Sequence, residues 1–324
     1  MAALCVSGRV AHPAFDMQIT FLGTGAGIPS TRRNVAAMAL RLSQRSELWL
    51  FDCGEATQHR FMTSAVSMGQ VTRIFISHLH GDHVFGLPGF LATRGLGGLR
   101  TPLDVYGPPG LRAMLEGVLA ATSTWVPYPL RIHEIEPGEV LDDRGVRVRC
   151  ASLLHGVQCL GYRVSEPDEP GRFDPARAAA QGIPAGPLFG RLKRGETIDL
   201  DGRIITPEGL VGPPLPGRSV VYCTDTAYSE AAVALAERCD LLVHEATFAS
   251  ADAAIADVSG HSTAATAARV ASEAGARRLV LTHISARYAP EQPIGLDDLL
   301  TEARAIFPAT DLADDGMSVE VERR

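Results

Sequence analysis

The chain has 324 residues, of which 46% are hydrophobic and 21% charged, enough for a full hydrophobic core. Its formal net charge of −7 at pH 7 excludes a protein coated in positive charge, so a nucleic acid would have to bind at a local basic patch. No apolar run reaches the ~20 residues that a membrane helix needs, and the first residues lack the regions of a secretory signal. We therefore expect a cytoplasmic protein without membrane contact.

The first strand-like run is MQITFLGTG, and Met17 at its start is a candidate translation start. We expect residues 1–16 to be an N-terminal tail and residues 17–324 to form one folded domain. The glycine-rich turn after this run, in FLGTGAGIPSTRRN, has two interpretations. Such a turn can bind phosphate through backbone N–H groups, but a lone G-x-G more often marks a tight loop.

Short apolar runs bounded by glycine or a polar residue recur along the chain and predict strands. They are MQITFLGTG, ELWLFDCGE, RIFISHLHG, LDVYGPPG, VRVRCASLLHG, SVVYCTDT, DLLVHEAT and RLVLTHIS. Helical patterns lie between some of them. One of these patterns, STAATAARVASEAGARR, begins with Ser262 or Thr263 as a helix cap. This alternation predicts a layered α/β domain.

Three histidines and an aspartate fall within six positions in SHLHGDH, directly after a predicted strand. Residues two apart in extended chain point the same way, so His78 and His80 can face one ion. Gly81 permits a sharp turn that would present Asp82 and His83 on another side. A purely structural cluster would bury imidazoles and a carboxylate without compensation. The pattern therefore predicts two metal ions.

Further polar residues stand at the ends of other predicted strands, where loops above a sheet would bring them together. These residues are Asp52, His155, Asp225, Glu245 and His283. The six cysteines contain no C-x-x-C pair, so we expect buried apolar thiols and a metal centre built from His and Asp.

One segment departs from the strand and helix pattern. Residues 165 to about 217 are rich in Pro, Gly and Arg and contain Lys193, the single lysine of the chain. On composition alone the segment is either an irregular surface insertion or a binding element.

These motifs resemble those of the metallo-β-lactamase superfamily. Within it, FDCGEATQHR, HEATF followed by GHST, THISARY and GIPAGPLFGRLKRGE resemble the ribonuclease Z family of zinc-dependent endonucleases, which trim the 3′ end of precursor tRNA. The resemblance implies an α/β protein with an αβ/βα sandwich as its catalytic domain and a protruding tRNA-binding arm at about residues 165–203. It also implies a homodimer in which the arm of one subunit presents tRNA to the metal site of the other.

The resemblance also implies roles for individual residues. Two Zn²⁺ ions per subunit would be bound, although ligand type alone admits Mn²⁺ or Fe²⁺. The ligands would be His78, His80 and His155 for one ion, Asp82, His83 and His283 for the other, and Asp225 for both. Asp52 would orient a ligand imidazole.

For catalysis, Asp82 would accept a proton from the attacking water, and His261, oriented by Glu245, would protonate the leaving oxygen. Each member of this pair has a structural alternative, since His261 could contribute to a helix cap and Glu245 could be a buried structural carboxylate. Substrate contacts are expected from Arg33, Asn34 and Arg287, and from Gly186, Pro187, Arg191, Lys193 and Arg194 of the arm. Thr31 replaces a lysine of the family at a loop tied to the position of the cut.

Two other functions remain open from the residues. A small-molecule hydrolase of the same fold, acting on a phosphodiester, thioester or lactam, would work without the arm. A non-catalytic RNA-binding relative should have lost metal ligands, whereas all seven positions are filled here.

Overall fold

The computed structural model describes residues 17–42, 45–289 and 292–323. The predicted N-terminal tail at residues 1–16 lies outside the described residues. Over the described ranges, no helix is long and apolar enough to cross a membrane.

The strands in chain order are β1 (Gln18–Gly23), β2 (Gly25–Ala26), β3 (Ala37–Arg41), β4 (Leu48–Phe51), β5 (Val71–Phe75), β6 (Leu103–Gly107), β7 (Leu130–Glu134), β8 (Gly138–Asp143), β9 (Val146–Leu153), β10 (Cys159–Ser165), β11 (Ile198–Leu200), β12 (Arg203–Ile205), β13 (Ser219–Cys223), β14 (Leu241–Glu245), β15 (Leu279–Thr282), β16 (Ile284–Ser285), β17 (Thr310–Leu312) and β18 (Ser318–Glu320). The α-helices are α1 (Thr57–Thr63), α2 (Gly81–Val84), α3 (Gly86–Leu96), α4 (Leu111–Ala121), α5 (Pro175–Ala180), α6 (Pro187–Lys193), α7 (Glu230–Leu235), α8 (Ala253–Ser259), α9 (Ala264–Glu273) and α10 (Leu296–Ile306).

Two seven-stranded sheets form the centre of the fold. The first has the order β18-β1-β3-β4-β5-β6-β7, and the second the order β17-β15-β14-β13-β10-β9-β8. In the first sheet β4 to β7 are parallel, and in the second β13, β14, β15 and β17 are parallel. Because the carboxyl ends of parallel strands meet at one edge, the polar residues that follow β4, β5, β13 and β15 gather at a shared rim.

The inner faces of the sheets enclose an aromatic core. The Phe51 and Phe75 rings stack with centroids 5.1 Å apart, and Tyr162 approaches Phe51 edge-on at 5.9 Å. The phenol of Tyr162 donates to the carbonyl of Ile76 at 2.6 Å, so its polar end is satisfied within the core. This packing fixes the end of β5, from which the histidine cluster begins.

Helices cover the outer face of each sheet. Leu87, Phe90 and Leu115 from α3 and α4 pack on the first sheet, and buried alanines of α7 and α9 pack on the second. Helix α9 begins at the predicted cap, since Thr263 Oγ1 accepts from the Thr266 N–H at 3.1 Å. The four layers are the αβ/βα sandwich of the metallo-β-lactamase fold, which confirms the predicted fold class.

Residues 166–218, which connect β10 to β13, form a small unit with its own core. Helices α5 and α6 and the β11–β12 hairpin bury Ala178, Ile183, Leu192, Ile198, Ile205 and Leu210 together. Two reciprocal backbone hydrogen bonds of 2.9 Å between Glu169 and Leu215 close the neck of this unit. The insertion therefore folds around a core of its own, and that core continues past residue 203, the end of the arm that the resemblance implies.

Candidate metal centre and active site

One group of potential ligands consists of three imidazoles and a carboxylate. The ligand atoms of His78, His80, His155 and Asp225 all lie within 4.8 Å of one another. His80 Nδ1 is 3.0 Å from His78 Nε2 and 3.3 Å from His155 Nε2. His80 therefore faces the group through Nδ1, whereas the other two histidines face it through Nε2.

A second group lies beside the first. Asp82, His83 and His283 also bring ligand atoms within 4.8 Å of one another, and the Nε2 atoms of His83 and His283 are 3.2 Å apart. Asp225 lies between the groups: its Oδ1 is 3.2 Å from each of these Nε2 atoms, and its Oδ2 is 3.6 Å from His78 Nε2. The seven predicted ligands thus form two sites that share one carboxylate.

Local sequence explains why the cluster divides in this way. After β5 the chain stays extended through His80, whose φ and ψ are −66° and 150°, and at Gly81 it enters the single turn of α2 that presents Asp82 and His83 elsewhere. A Cβ atom at Gly81 would lie 2.2 Å from the ring of Phe85, so a larger residue there would require that exposed side chain to move. Two predicted features, the shared direction of His78 and His80 and the turn at Gly81, are both present.

The Nδ1 atoms of four histidines are held by neighbours outside the two groups. His83 Nδ1 is 2.8 Å from Asp52 Oδ2, and His155 Nδ1 is 2.9 Å from the carbonyl of Gly260. Nδ1 of His78 is 3.0 Å from Ser77 Oγ, and Nδ1 of His283 is 2.9 Å from Thr247 Oγ1. A hydrogen bond donated through Nδ1 leaves the lone pair on Nε2, the atom that faces the cluster.

Asp52 is fully buried and was predicted to orient a ligand imidazole. Its carboxylate accepts from the backbone N–H of Ser77 at 2.7 Å, from the Ser77 hydroxyl at 2.9 Å and from the Tyr222 hydroxyl at 3.0 Å, besides facing His83 Nδ1. These donors satisfy a charge that would otherwise be costly to bury. The geometry matches the predicted contact with a ligand histidine.

The electrostatics of the cluster call for positive charge among the carboxylates. Burial lowers the pKa of His78 well below its ordinary value, and the neighbouring His83 adds to this effect. Burial also disfavours a charged His83, but the carboxylates of Asp225 and Asp52 outweigh it and raise the pKa of His83 well above the ordinary value. A divalent cation at the same place would balance the charge of Asp225 and accept the inward-facing lone pairs, so the donor set fits a metal ion.

Asp82 is held in its charged form. Burial would raise its pKa, but the neighbouring imidazoles of His283 and His83 outweigh burial and keep the pKa well below the usual range. Its Oδ2 also accepts from the backbone N–H of Gly27 at 2.8 Å, which links the glycine-rich loop to the second group. Asp82 is thus placed among the ligand groups, and its role as proton acceptor stays a prediction.

The predicted pair of His261 and Glu245 lies beside the metal-binding groups. Nδ1 of His261 is 2.9 Å from Oε1 of Glu245, whose side chain is fully buried. Burial would lower the pKa of His261, but the hydrogen bond and the charge of Glu245 outweigh it and raise the pKa above the ordinary value. A ligand atom of His261 lies within 4.8 Å of one from Asp225 and one from His283. The imidazole therefore has a buried partner that favours its charged form, and it lies close to the two ligand groups.

The structure gives two predicted substrate residues internal partners instead. The guanidinium of Arg33 is buried and donates to Thr24 Oγ1 at 2.6 Å and to the carbonyl of Ala313 at 2.7 Å. The side-chain amide of Asn34 donates to the carbonyl of Glu55 at 2.9 Å. Both side chains hold the loop in place, and this geometry does not support their predicted contact with substrate. Thr31 and Arg32 of the same loop are exposed.

The other predicted substrate residues are exposed. Arg287 lies over the Phe248 ring at 5.1 Å and pairs with Asp252 at 3.2 Å, with its side chain 41% exposed. The arm residues Gly186, Pro187, Arg191, Lys193 and Arg194 lie on the surface at α6. Arg191 and Arg194 both bond to Glu196, a partner that sequence reasoning missed.

Sequence reasoning also missed Ser77 and Thr247, the two hydroxyl residues that contact ligand histidines. Ser77 lies in SHLHGDH, directly before the predicted ligand His78. Thr247 lies in HEATF, two residues after Glu245. Their position in those motifs was the available signal, but only the fold shows which imidazole each hydroxyl meets.

Known proteins share this architecture. Residues 208–284 match the beta-lactamase superfamily domain, and residues 17–122 match the family of the anti-Pycsar protein Apyc1. The chain is 54% identical to ribonuclease Z of Cyanothece sp. (strain PCC 7425 / ATCC 29141), with 95% of this chain and 96% of that protein covered. The chain belongs to the ribonuclease Z family. This confirms the resemblance found in the motifs.

Two further comparisons agree with membership of the ribonuclease Z family. Ribonuclease Z of Prochlorococcus marinus (strain MIT 9303) is 52% identical, with 95% of this chain and 99% of that protein covered. The crystal structure of the short form of human tRNase Z superposes with a TM-score of 0.69 at 30% identity and covers 94% of this chain and 100% of that chain. The matched region includes nearly the whole chain rather than the metal-binding motifs alone.

Proposed function

We propose that this protein is a zinc-dependent endoribonuclease that hydrolyses a phosphodiester bond at the 3′ end of precursor tRNA and so removes the 3′ trailer. The observation that carries the proposal is the pair of ligand groups joined by Asp225, in a chain that belongs to the ribonuclease Z family. Two Zn²⁺ ions per subunit fit the imidazole and carboxylate donors, and the site would lie in a cytoplasmic homodimer.

The residues would have separate roles in binding metal and in moving a proton. His78, His80 and His155 would hold one ion, Asp82, His83 and His283 the other, and Asp225 would contact both. When bound, the ions supply Lewis acidity that activates a water and neutralises charge on the phosphoryl oxygens. His261 carries a proton that Glu245 stabilises, and it would give this proton to the leaving 3′ oxygen.

The insertion would supply affinity for tRNA. Its exposed cations on α6, Arg191, Lys193 and Arg194, stand on an otherwise acidic chain with a net charge of −7. Contacts to the RNA backbone by such residues are electrostatic and depend on salt. The insertion has its own core, so it could hold RNA without contributing to the metal site.

The test exploits the closed neck of the insertion. Residues 170–214 can be replaced by Asn-Gly, because the reciprocal hydrogen bonds of Glu169 and Leu215 match those between residues that flank a two-residue hairpin turn. This variant and His80→Ala are compared with the intact protein on a 3′-extended precursor tRNA, with the cut mapped to the nucleotide, and on bis(p-nitrophenyl) phosphate.

We expect the intact protein to cut tRNA near the acceptor stem, and the position of the cut will show the effect of Thr31. The shortened variant should fail on tRNA but still hydrolyse the small phosphodiester, whereas His80→Ala should fail on both. If the parent leaves tRNA uncut, the protein is instead a small-molecule hydrolase of the same fold. If the shortened variant processes tRNA as well as the parent does, the insertion does not supply the affinity for tRNA.

A further inference from the structure

Glu245 is surrounded by hydrogen-bond donors. Its Oε1 accepts from the Thr226 N–H at 2.7 Å and faces His261 Nδ1 at 2.9 Å. Its Oε2 accepts from the Thr247 N–H at 3.1 Å and from the Thr247 hydroxyl at 2.5 Å. Because the carboxylate is fully buried, these four contacts fix its position and its charge.

The hydroxyl of Thr247 has three polar neighbours but only one proton. Oγ1 is 2.5 Å from Glu245 Oε2, 2.9 Å from His283 Nδ1 and 3.3 Å from His261 Nδ1. An ionised carboxylate can only accept, so the hydroxyl proton points to Glu245. The hydroxyl must then accept from His283, which places a proton on Nδ1 of that imidazole.

This assignment decides which nitrogen of His283 carries a lone pair. With Nδ1 protonated, Nε2 is the free nitrogen, and it lies 3.2 Å from Asp225 Oδ1 and 3.4 Å from Asp82 Oδ2. It is therefore the atom that faces the second ligand group. In the other tautomer, an N–H would point into that group and Nδ1 would present its lone pair to Thr247.

The same arrangement occurs on the other side of the cluster, at Asp52. The Ser77 hydroxyl donates to Asp52 at 2.9 Å and lies 3.0 Å from His78 Nδ1. Each buried carboxylate thus holds one imidazole directly and a second imidazole through a hydroxyl. For Glu245 the two imidazoles have different tasks, because His261 is the proposed proton donor and His283 a proposed metal ligand.

We propose that Thr247 is a positioning residue that selects the Nε2-coordinating tautomer of His283 and couples this metal ligand to the Glu245–His261 pair. The inference rests on the proposed function for the roles of the two histidines. The tautomer of His283 depends on hydrogen bonding and can be measured without tRNA.

Three variants test the proposal. Thr247→Val keeps the shape of the side chain and removes the hydroxyl, and Thr247→Ser keeps the hydroxyl. Thr20→Val is the matched control, because Thr20 is buried and bonds through its hydroxyl to Ser318 at 2.9 Å on the distant β1–β18 edge. The measurements, both on metal-free protein, are histidine ¹H–¹⁵N spectra and Zn²⁺ titration against a chromophoric chelator.

We expect His283 to carry its proton on Nδ1 in the parent, in Thr247→Ser and in Thr20→Val. Thr247→Val should lose this signature. The Zn²⁺ site that includes His283 should lose roughly 10–100-fold in affinity, as for other partners of metal-bound histidines. Cleavage of tRNA should fall in kcat with KM little changed. If Thr247→Val keeps the parent tautomer and Zn²⁺ affinity, the proposal is wrong. Failure of the parent to cut tRNA would instead contradict the proposed function, and the tautomer would still decide the role of Thr247.

Discussion

Oδ2 of Asp52 lies 2.8 Å from Nδ1 of His83, and both side chains are fully buried. The contact joins the end of β4 to the turn of α2, so the carboxylate aims an imidazole whose other nitrogen faces the second ligand group. Asp52 adopts a left-handed backbone conformation with φ of 55°, which asparagine also tolerates. The backbone therefore accommodates Asp52→Asn, an isosteric substitution that tests the role of the carboxylate.

Asp52→Asn should weaken metal binding. The amide replaces an acceptor with a donor where Ser77, Tyr222 and His83 all donate, so His83 loses the partner that orients it. We expect Zn²⁺ affinity to fall roughly 10–100-fold, measured by titration of metal-free protein. Tyr222→Phe removes one donor and leaves the Asp52–His83 contact, so it should bind Zn²⁺ nearly as the parent does. Equal loss in both variants would contradict this interpretation.

His261→Ala should remove the proton donor while leaving the metal ligands in place. Loss of a positioned general acid lowers rates by roughly 10²–10⁴-fold, so kcat on precursor tRNA should fall while KM and Zn²⁺ content stay near parent values. Because Glu245 raises the pKa of His261, the donor is protonated at low pH and loses its proton as pH rises through that pKa. The parent rate should therefore decline as pH rises through this raised pKa, and the variant should lack that decline. A variant that loses Zn²⁺ would show a structural role instead.

Arg33 and its neighbour Arg32 allow a paired test of one loop. Arg33→Ala removes buried hydrogen bonds to Thr24 and Ala313, and charged hydrogen bonds of this kind contribute roughly 2–3 kcal/mol, so thermal unfolding should occur at a lower temperature. Arg32 is exposed, and Arg32→Ala should leave the stability unchanged and raise KM for precursor tRNA. If Arg33→Ala folds as stably as the parent and only KM rises, the original assignment of Arg33 to substrate was right.

The contrast between these residues shows which features could be predicted from the sequence and which could not. The direction of His78 and His80 depends on local backbone geometry, and strand ends meet wherever parallel strands share a sheet, so both were predictable. The orientation of Arg33 depends on Ala313, 280 residues away, which no local pattern reports. Composition set the insertion at residues 165 to about 217, and the core that contains Leu210 lies within those bounds, although only the tertiary structure shows which of its residues pack together.

Glu196→Gln should strengthen tRNA binding through the arm. In the free protein, Glu196 accepts from Arg191 at 2.9 Å and from Arg194 at 3.0 Å, and these hydrogen bonds lower the pKa of its carboxyl. RNA phosphates must compete with that carboxylate for both guanidinium groups. Removing its charge should lower KM for precursor tRNA roughly 2–5-fold at 0.1 M salt, and should make KM depend more steeply on salt.

Glu273→Gln is the matched control for this change, since Glu273 pairs with Arg269 at 2.7 Å on the exposed face of α9 and lies outside the arm. It alters the net charge of the chain equally, so a general electrostatic effect would lower KM in both variants. We expect the decrease in KM only for Glu196→Gln, with kcat unchanged in both. A rise in KM for Glu196→Gln would mean that Glu196 orients the two arginines for RNA rather than competing with it.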